Sequence, residues 1–193
     1  LMVGHVYEYN ASVRYIKRQI DEGVLGKVQY VYAQRLNLGK VRHDLDAIWN
    51  LAPHDISILN LWMGGLPSGV SAWGITALPH RFADVGFLLL EYPSGVKAHI
   101  HISWLDPGKI RKITVVGSKK MVVYDDVDVE SPIRVYDKGV DVIDGPAPQG
   151  FGEFKMQVRT GDVHLPRIDA LEPLRVECDH FVACVKEGRE PDT

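Results

Sequence analysis

The chain has 193 residues, of which 46% are hydrophobic and 24% charged. That composition suits one globular domain with a sizeable core. A formal charge of −3 gives no basic footprint for nucleic acid or anionic headgroups. No apolar run approaches the roughly 20 residues of a membrane span, and Leu1-Met2-Val3-Gly4 carries neither a signal nor a lipidation pattern.

In chain order, LMVGHVYEY reads as a strand already under way, which predicts that the sequence is cut from a larger fold. Asn10 is a good N-cap for ASVRYIKRQIDEG, where Val13, Ile16, Ile20 and Val24 recur at helical spacing. The same N-cap role explains Asn10-Ala11-Ser12 better than glycosylation does. GKVQYVYAQRLNLG alternates with the period of a strand, and DAIWNLAPHDISILNLWMGG reads as a helix closed by Gly64-Gly65. From Val70 to Tyr136 come VSAWGITAL, DVGFLLLEY, VKAHIHISWL, KITVVGS, KMVVYDD and IRVYD, separated by tight turns. Strands in such close succession favour antiparallel pairing over βαβ crossovers. Residues 139–170, rich in Gly, Pro and Asp, predict a long, partly extended excursion before a last helix, EPLRVECDHFVACVKEG. Its Leu174, Cys178, Phe181 and Val185 share one face, and Cys178 and Cys184 point to different sides as unpaired, buried thiols of a reducing cytosol. The expected fold is α+β, a mostly antiparallel open sheet with helices on one face.

No Gly-x-Gly-x-x-Gly and no phosphate loop occurs, so the residues offer no recognisable nucleotide site. His54 holds more interest. Pro53 suits a first helical turn, and Asp55 then favours the positive helix end. A helix extended back through Asn50 would project Asn50 and His54 from one face, an amide beside an imidazole that titrates near neutrality. Taken alone, the pattern leaves two readings open: proton transfer with an alcohol or ketone, or a core histidine bonded to a carbonyl. A zinc role is disfavoured, because His99 and His101 are two apart in a strand and no His-x-x-x-His or Cys-x-x-Cys occurs. His99, His101 and Trp104 instead suggest a sheet face that is not purely polar, suited to a homodimer or higher oligomer.

Together, VGHVYEYNASVRYIKRQIDEGVLGKVQYVYAQRLNLGKVR, DAIWNLAPHDISIL, ITVVGSKKMVVYDD and EPLRVECDHFVACVKEGREP resemble the second domain of the glucose–fructose oxidoreductase, inositol dehydrogenase and MocA family. The resemblance spans nearly the whole chain. It implies a C-terminal substrate-binding and oligomerisation domain over 1–193, with NAD or NADP held in an absent N-terminal Rossmann domain, the C-terminal end truncated, and a cytoplasmic location. It implies a sugar, cyclitol or nucleotide-sugar substrate, and His54 as acid/base partner at the reacting carbinol. The family's catalytic lysine belongs to a Glu-Lys-Pro motif that this sequence lacks, so the chain alone is expected to be inactive. Many members carry aspartate where Asn50 stands, which makes Asn50 a substrate contact. Arg35 and Asn37, at the RLNLG strand end, are further candidates to line the substrate cleft, and Tyr9 a weaker candidate for the cofactor side. The competing expectation is a non-enzymatic sheet module that oligomerises or binds a sugar.

Overall fold

The computed structural model describes residues 1–142, 156–169 and 171–193. Among these residues three α-helices, α1 (Ala11–Asp21), α2 (Ala47–Met63) and α3 (Pro173–Glu187), accompany eight strands. The strands are β1 (Val28–Leu38), β2 (Gly69–Ile75), β3 (Val85–Glu91), β4 (Lys97–Ser103), β5 (Leu105–Gly117), β6 (Met121–Asp125), β7 (Ile133–Val142) and β8 (Met156–His164). They form one open sheet in the order β2-β3-β4-β1-β5-β6-β7-β8. Every pairing is antiparallel except β1 with β4.

The alternation of the strands decides what is covered. Val31, Ala33, Leu88, Leu90, Ile100, Ile102, Ile113, Val115, Val122 and Ile133 point to one face and are buried there with Ile58, Leu59 and Trp62 of α2 and Val13 and Ile16 of α1. The opposite face is open. On it Trp73 stacks on Phe87 at 5.5 Å between ring centroids, and Phe87 on His101 at 4.4 Å. The expected α+β open sheet is therefore present, and α1 and α2 cover one of its faces.

Four expectations are corrected. Residues 1–9 form no strand: Val6–Tyr9 is a 3₁₀ turn, with Asn10 accepting from the amides of Ser12 and Val13 to start α1. The 139–170 region is more ordered than expected where it is described, since β7 runs to Val142 and pairs with β8; residues 143–155 and 170 lie outside the described residues. Trp104 is not on the open face, because it is buried with its indole N–H donated to Asp84 at 2.6 Å. Cys178 is exposed, and only Cys184 is buried; both thiols are free, as expected.

Candidate functional site

Helix α2 begins about two turns before His54, so Pro53 stands inside it and not in its first turn. Asp46 is the N-cap, accepting from the Trp49 amide at 2.7 Å. Pro53 leaves the Trp49 carbonyl without its helical donor, while Gly64, at φ 75°, closes the helix in the left-handed conformation. The helix lies close on the sheet, and a Cβ on Gly86 would sit 2.3 Å from Cγ1 of Ile48, a contact only glycine permits. This seat points Asp55 inward at β1 and leaves His54 half-buried at the helix edge.

Asp55 is thus no helix-end acid. It is 1% exposed and grips Arg35, itself 5% exposed, through two bonds: Nε to Oδ2 at 2.7 Å and Nη2 to Oδ1 at 3.0 Å. Such a fork is the strongest form of carboxylate recognition. Burial opposes the guanidinium's charge, but the Asp55 carboxylate and the Tyr7 hydroxyl more than offset this, so the Arg35 pKa is raised. The Arg35 guanidinium lies 5.0 Å from the centre of the Tyr7 ring. Tyr7 in turn packs on His54, centroid to centroid 5.2 Å, and donates its hydroxyl to Asp126 at 2.9 Å. Arg111 of β5 reaches the same Asp126 oxygen at 3.2 Å, and Tyr124 donates to the other at 2.9 Å. Beside this network opens a cavity of about 360 Å³ lined by Tyr7, Asn10, Arg111, Asp126 and Glu172.

His54 therefore faces a rigid, charged frame. Burial, then the Arg35 charge, hold its imidazole below the ordinary histidine value, with Asp55 pulling the other way and Arg111 and His5 adding to the depression. A ring so placed is neutral at pH 7 and can accept a proton there.

The other expected site residues divide. Asn50 stands one turn before His54 but lines a different hollow, of about 470 Å³, walled by Lys40, Val41, Arg42, His43 and Asp44. Asn37 is exposed at the end of β1. Arg35 does not line an open cleft: both edges of its guanidinium are committed to Asp55 and Tyr7, so it can act only through what it positions. Tyr9 is 4% exposed, packed on His180 at 5.5 Å, and cannot present its ring to a cofactor. The residues around His54 missing from the sequence reading are Arg111, Asp126 and Tyr124. Among the described residues no cluster of His, Cys, Asp or Glu could hold a metal. None of their helices is long and apolar enough to cross a membrane.

An open, mostly antiparallel sheet is thus covered on one face by helices, and one of these carries the half-buried His54. Residues 13–123 match the model of the GFO/IDH/MocA C-terminal domain, and the chain belongs to that family. Among curated proteins, a 2,7-anhydro-N-acetylneuraminate hydratase of Mediterraneibacter gnavus is 30% identical over 82 residues, which is 38% of this chain and 22% of that protein. Among solved structures, a UDP-N-acetylglucosamine 3-dehydrogenase from Acidithiobacillus ferrooxidans superposes with a TM-score of 0.69 at 22% identity, covering 99% of this chain and 55% of that one. The WlbA dehydrogenase from Bordetella pertussis, solved with NADH and UDP-GlcNAcA, gives a TM-score of 0.63 at 20% identity over 95% of this chain and 53% of its own. The chain thus spans about half the length of these solved relatives and about a fifth of the curated one.

Proposed function

We propose that the chain is the substrate-binding and oligomerisation domain of a cytoplasmic NAD(P)-dependent oxidoreductase acting on a sugar, cyclitol or nucleotide-sugar hydroxyl. His54 is the acid/base partner in this reading. The observation that carries it is the half-buried imidazole, depressed in pKa by burial and by Arg35, held over the Tyr7–Asp126–Arg111 network. A neutral ring takes the hydroxyl proton as the carbinol is oxidised and returns it in the reverse direction. Asn50 hydrogen-bonds a more distant substrate hydroxyl, and Asn37 extends that polar rim. Arg35 positions His54 through Tyr7 and Asp55. The relatives' names, two dehydrogenases and a hydratase, all carry amino-sugar derivatives, which supports the substrate class.

The residues in hand do not fit a nicotinamide dinucleotide. They contain no glycine-rich phosphate turn, and Tyr9 is buried. In this reading the nucleotide is held by a Rossmann domain encoded outside residues 1–193. Residues 1–193 alone are expected to show no micromolar NAD(P)H binding by calorimetry. In the intact protein, His54→Asn is expected to lower kcat about 10²- to 10⁴-fold, the usual worth of a positioned acid/base, with substrate binding retained. Turnover within a factor of two of wild type would remove His54 from the mechanism.

Homo-oligomerisation through the open face is part of the same reading. Tyr30, Tyr32, Trp73 and Ile75 are all exposed there beside the Phe87 stack, an apolar patch of the kind that marks an interface. Light scattering that finds a monomer at high concentration, in this chain and in the intact protein, would overturn it.

A further inference from the structure

The loop between β1 and α2 walls a hollow of about 470 Å³ with Lys40, Val41, Arg42, His43 and Asp44, and Asn50 of α2 closes it. In a chain of net charge −3, the stretch Lys40–Asp44 sets two cations and a histidine against one acid. The next acid, Asp46, is engaged in capping α2. Lys40 is exposed and makes no ion pair among the described residues. Arg42 shows what the hollow can hold. Its Nε and Nη2 fork onto the Asp44 carboxylate at 2.9 and 2.6 Å, with the two side chains 43 and 64% exposed. A guanidinium fork takes carboxylate and phosphate alike, and a pair so open to water holds its partners weakly. Asp44 thus fills a place that a ligand's own anion can take over, with Lys40 as a second cation on the same hollow.

The loop hangs on rigid parts of the fold. The Gly39 amide donates to the Trp104 carbonyl at 3.2 Å, and the His43 ring meets His80 edge-on, 6.5 Å between centroids. His80 accepts the Phe82 amide at Nδ1, so its Nε2 carries the proton and donates to the buried Asp84 at 2.9 Å. Asn50 ties the hollow to the chemistry. It precedes His54 by four residues, about 6 Å along the helix axis, a distance that one sugar ring bridges.

We propose that the hollow of Lys40, Arg42 and Asn50 seats the negative group, carboxylate or phosphate, of an anionic sugar substrate. The inference rests on the reading of His54 as acid/base partner, and it narrows that reading. A neutral sugar or cyclitol offers nothing to the two cations, whereas a sugar acid or a phosphate-linked sugar does. Calorimetric titration of the intact protein with glucose, glucuronate and glucose 1-phosphate compares one ring without charge, with a carboxylate and with a phosphate. One of the two acids is expected to bind at least tenfold more tightly than glucose, and which one it is separates the carboxylate from the phosphate source. Lys40→Ala with Arg42→Ala is expected to bring that acid down to the affinity of glucose. Asp44→Asn, which removes the competing carboxylate, is expected to tighten it at least threefold and so reads the same seat with the opposite sign. Added salt is expected to weaken the acid and leave glucose unchanged. Equal affinities for the three probes, no binding of either acid, or a preference that survives the double substitution would each overturn the seat. Such a failure in a protein that still binds NADH or NADPH would leave the oxidoreductase reading standing. The preference in a protein that binds neither nucleotide would support the seat and overturn that reading.

Discussion

Helices α2 and α3 are of similar length, 17 and 15 residues, and both set apolar side chains around a buried acid. In α2 the acid is Asp55, paired twice with Arg35, and Ala52, Ile58, Leu59 and Trp62 are all covered by the sheet. In α3 the acid is Glu177, with an unpaired oxygen, and the apolar residues face outward. Among the described residues one helix is covered and the other is not. The difference separates residues that hold the domain together from residues left exposed on it, although both sets read alike in one dimension.

Substitutions should reproduce that asymmetry. Arg35→Ala strands a buried carboxylate and is expected to destabilise the chain by about 3–5 kcal/mol, measured by urea unfolding; a loss below 1 kcal/mol would mean that Asp55 finds another partner. Acidification comes next. Because the His54 pKa is depressed on folding, the unfolded chain binds the proton more tightly. Stability then falls as pH drops below the ordinary histidine value near 6.5 and levels off below the folded pKa, at a rate of at most about 1.4 kcal/mol per pH unit. Unfolding midpoints at several pH values should show this slope in the wild type and a reduced one in His54→Asn. Asp46→Ala removes the N-cap of α2 and should cost about 1 kcal/mol. On α3, Glu177→Leu should be neutral or stabilising in residues 1–193, since it replaces an unsatisfied acid with apolar surface. Phe181→Ser should stay within about 0.5 kcal/mol of wild type. A large loss from Phe181→Ser would place α3 in the same class as α2 and erase the contrast.

The local features were the ones open to reading from sequence. The Asn10 cap, the alternation in VKAHIHIS and the one-turn spacing of Asn50 and His54 each depend on residues a few positions apart. The network behind His54 does not: Tyr7 meets Asp126 across 119 positions and Arg111 across 104. No periodicity marks Asp126, an acid just past the end of β6, as the partner of a tyrosine near the N-terminus. Arg35 read as a polar strand end, when the inward side of its strand in fact meets a carboxylate one layer above. The opening LMVGHVYEY misled for the opposite reason. Its apolar residues resemble a strand, but among the described residues it has no neighbouring strand to pair with, and the chain turns into a 3₁₀ bend against α3.

Strands β4 and β5 are consecutive, with only Trp104 between them, yet β1 lies between them in the sheet and bonds to both. The meander β2-β3-β4 and the meander β5-β6-β7 can each form from local turns, but they join only when a segment from nearer the start of the chain slots between them. β1 is made first during synthesis and must wait until residue 117 has emerged before both its edges are satisfied. That ordering makes the docking of β1 the late, non-local step of folding. Until it happens, two unpaired edges face each other, and those edges are where a second unfinished chain would invade.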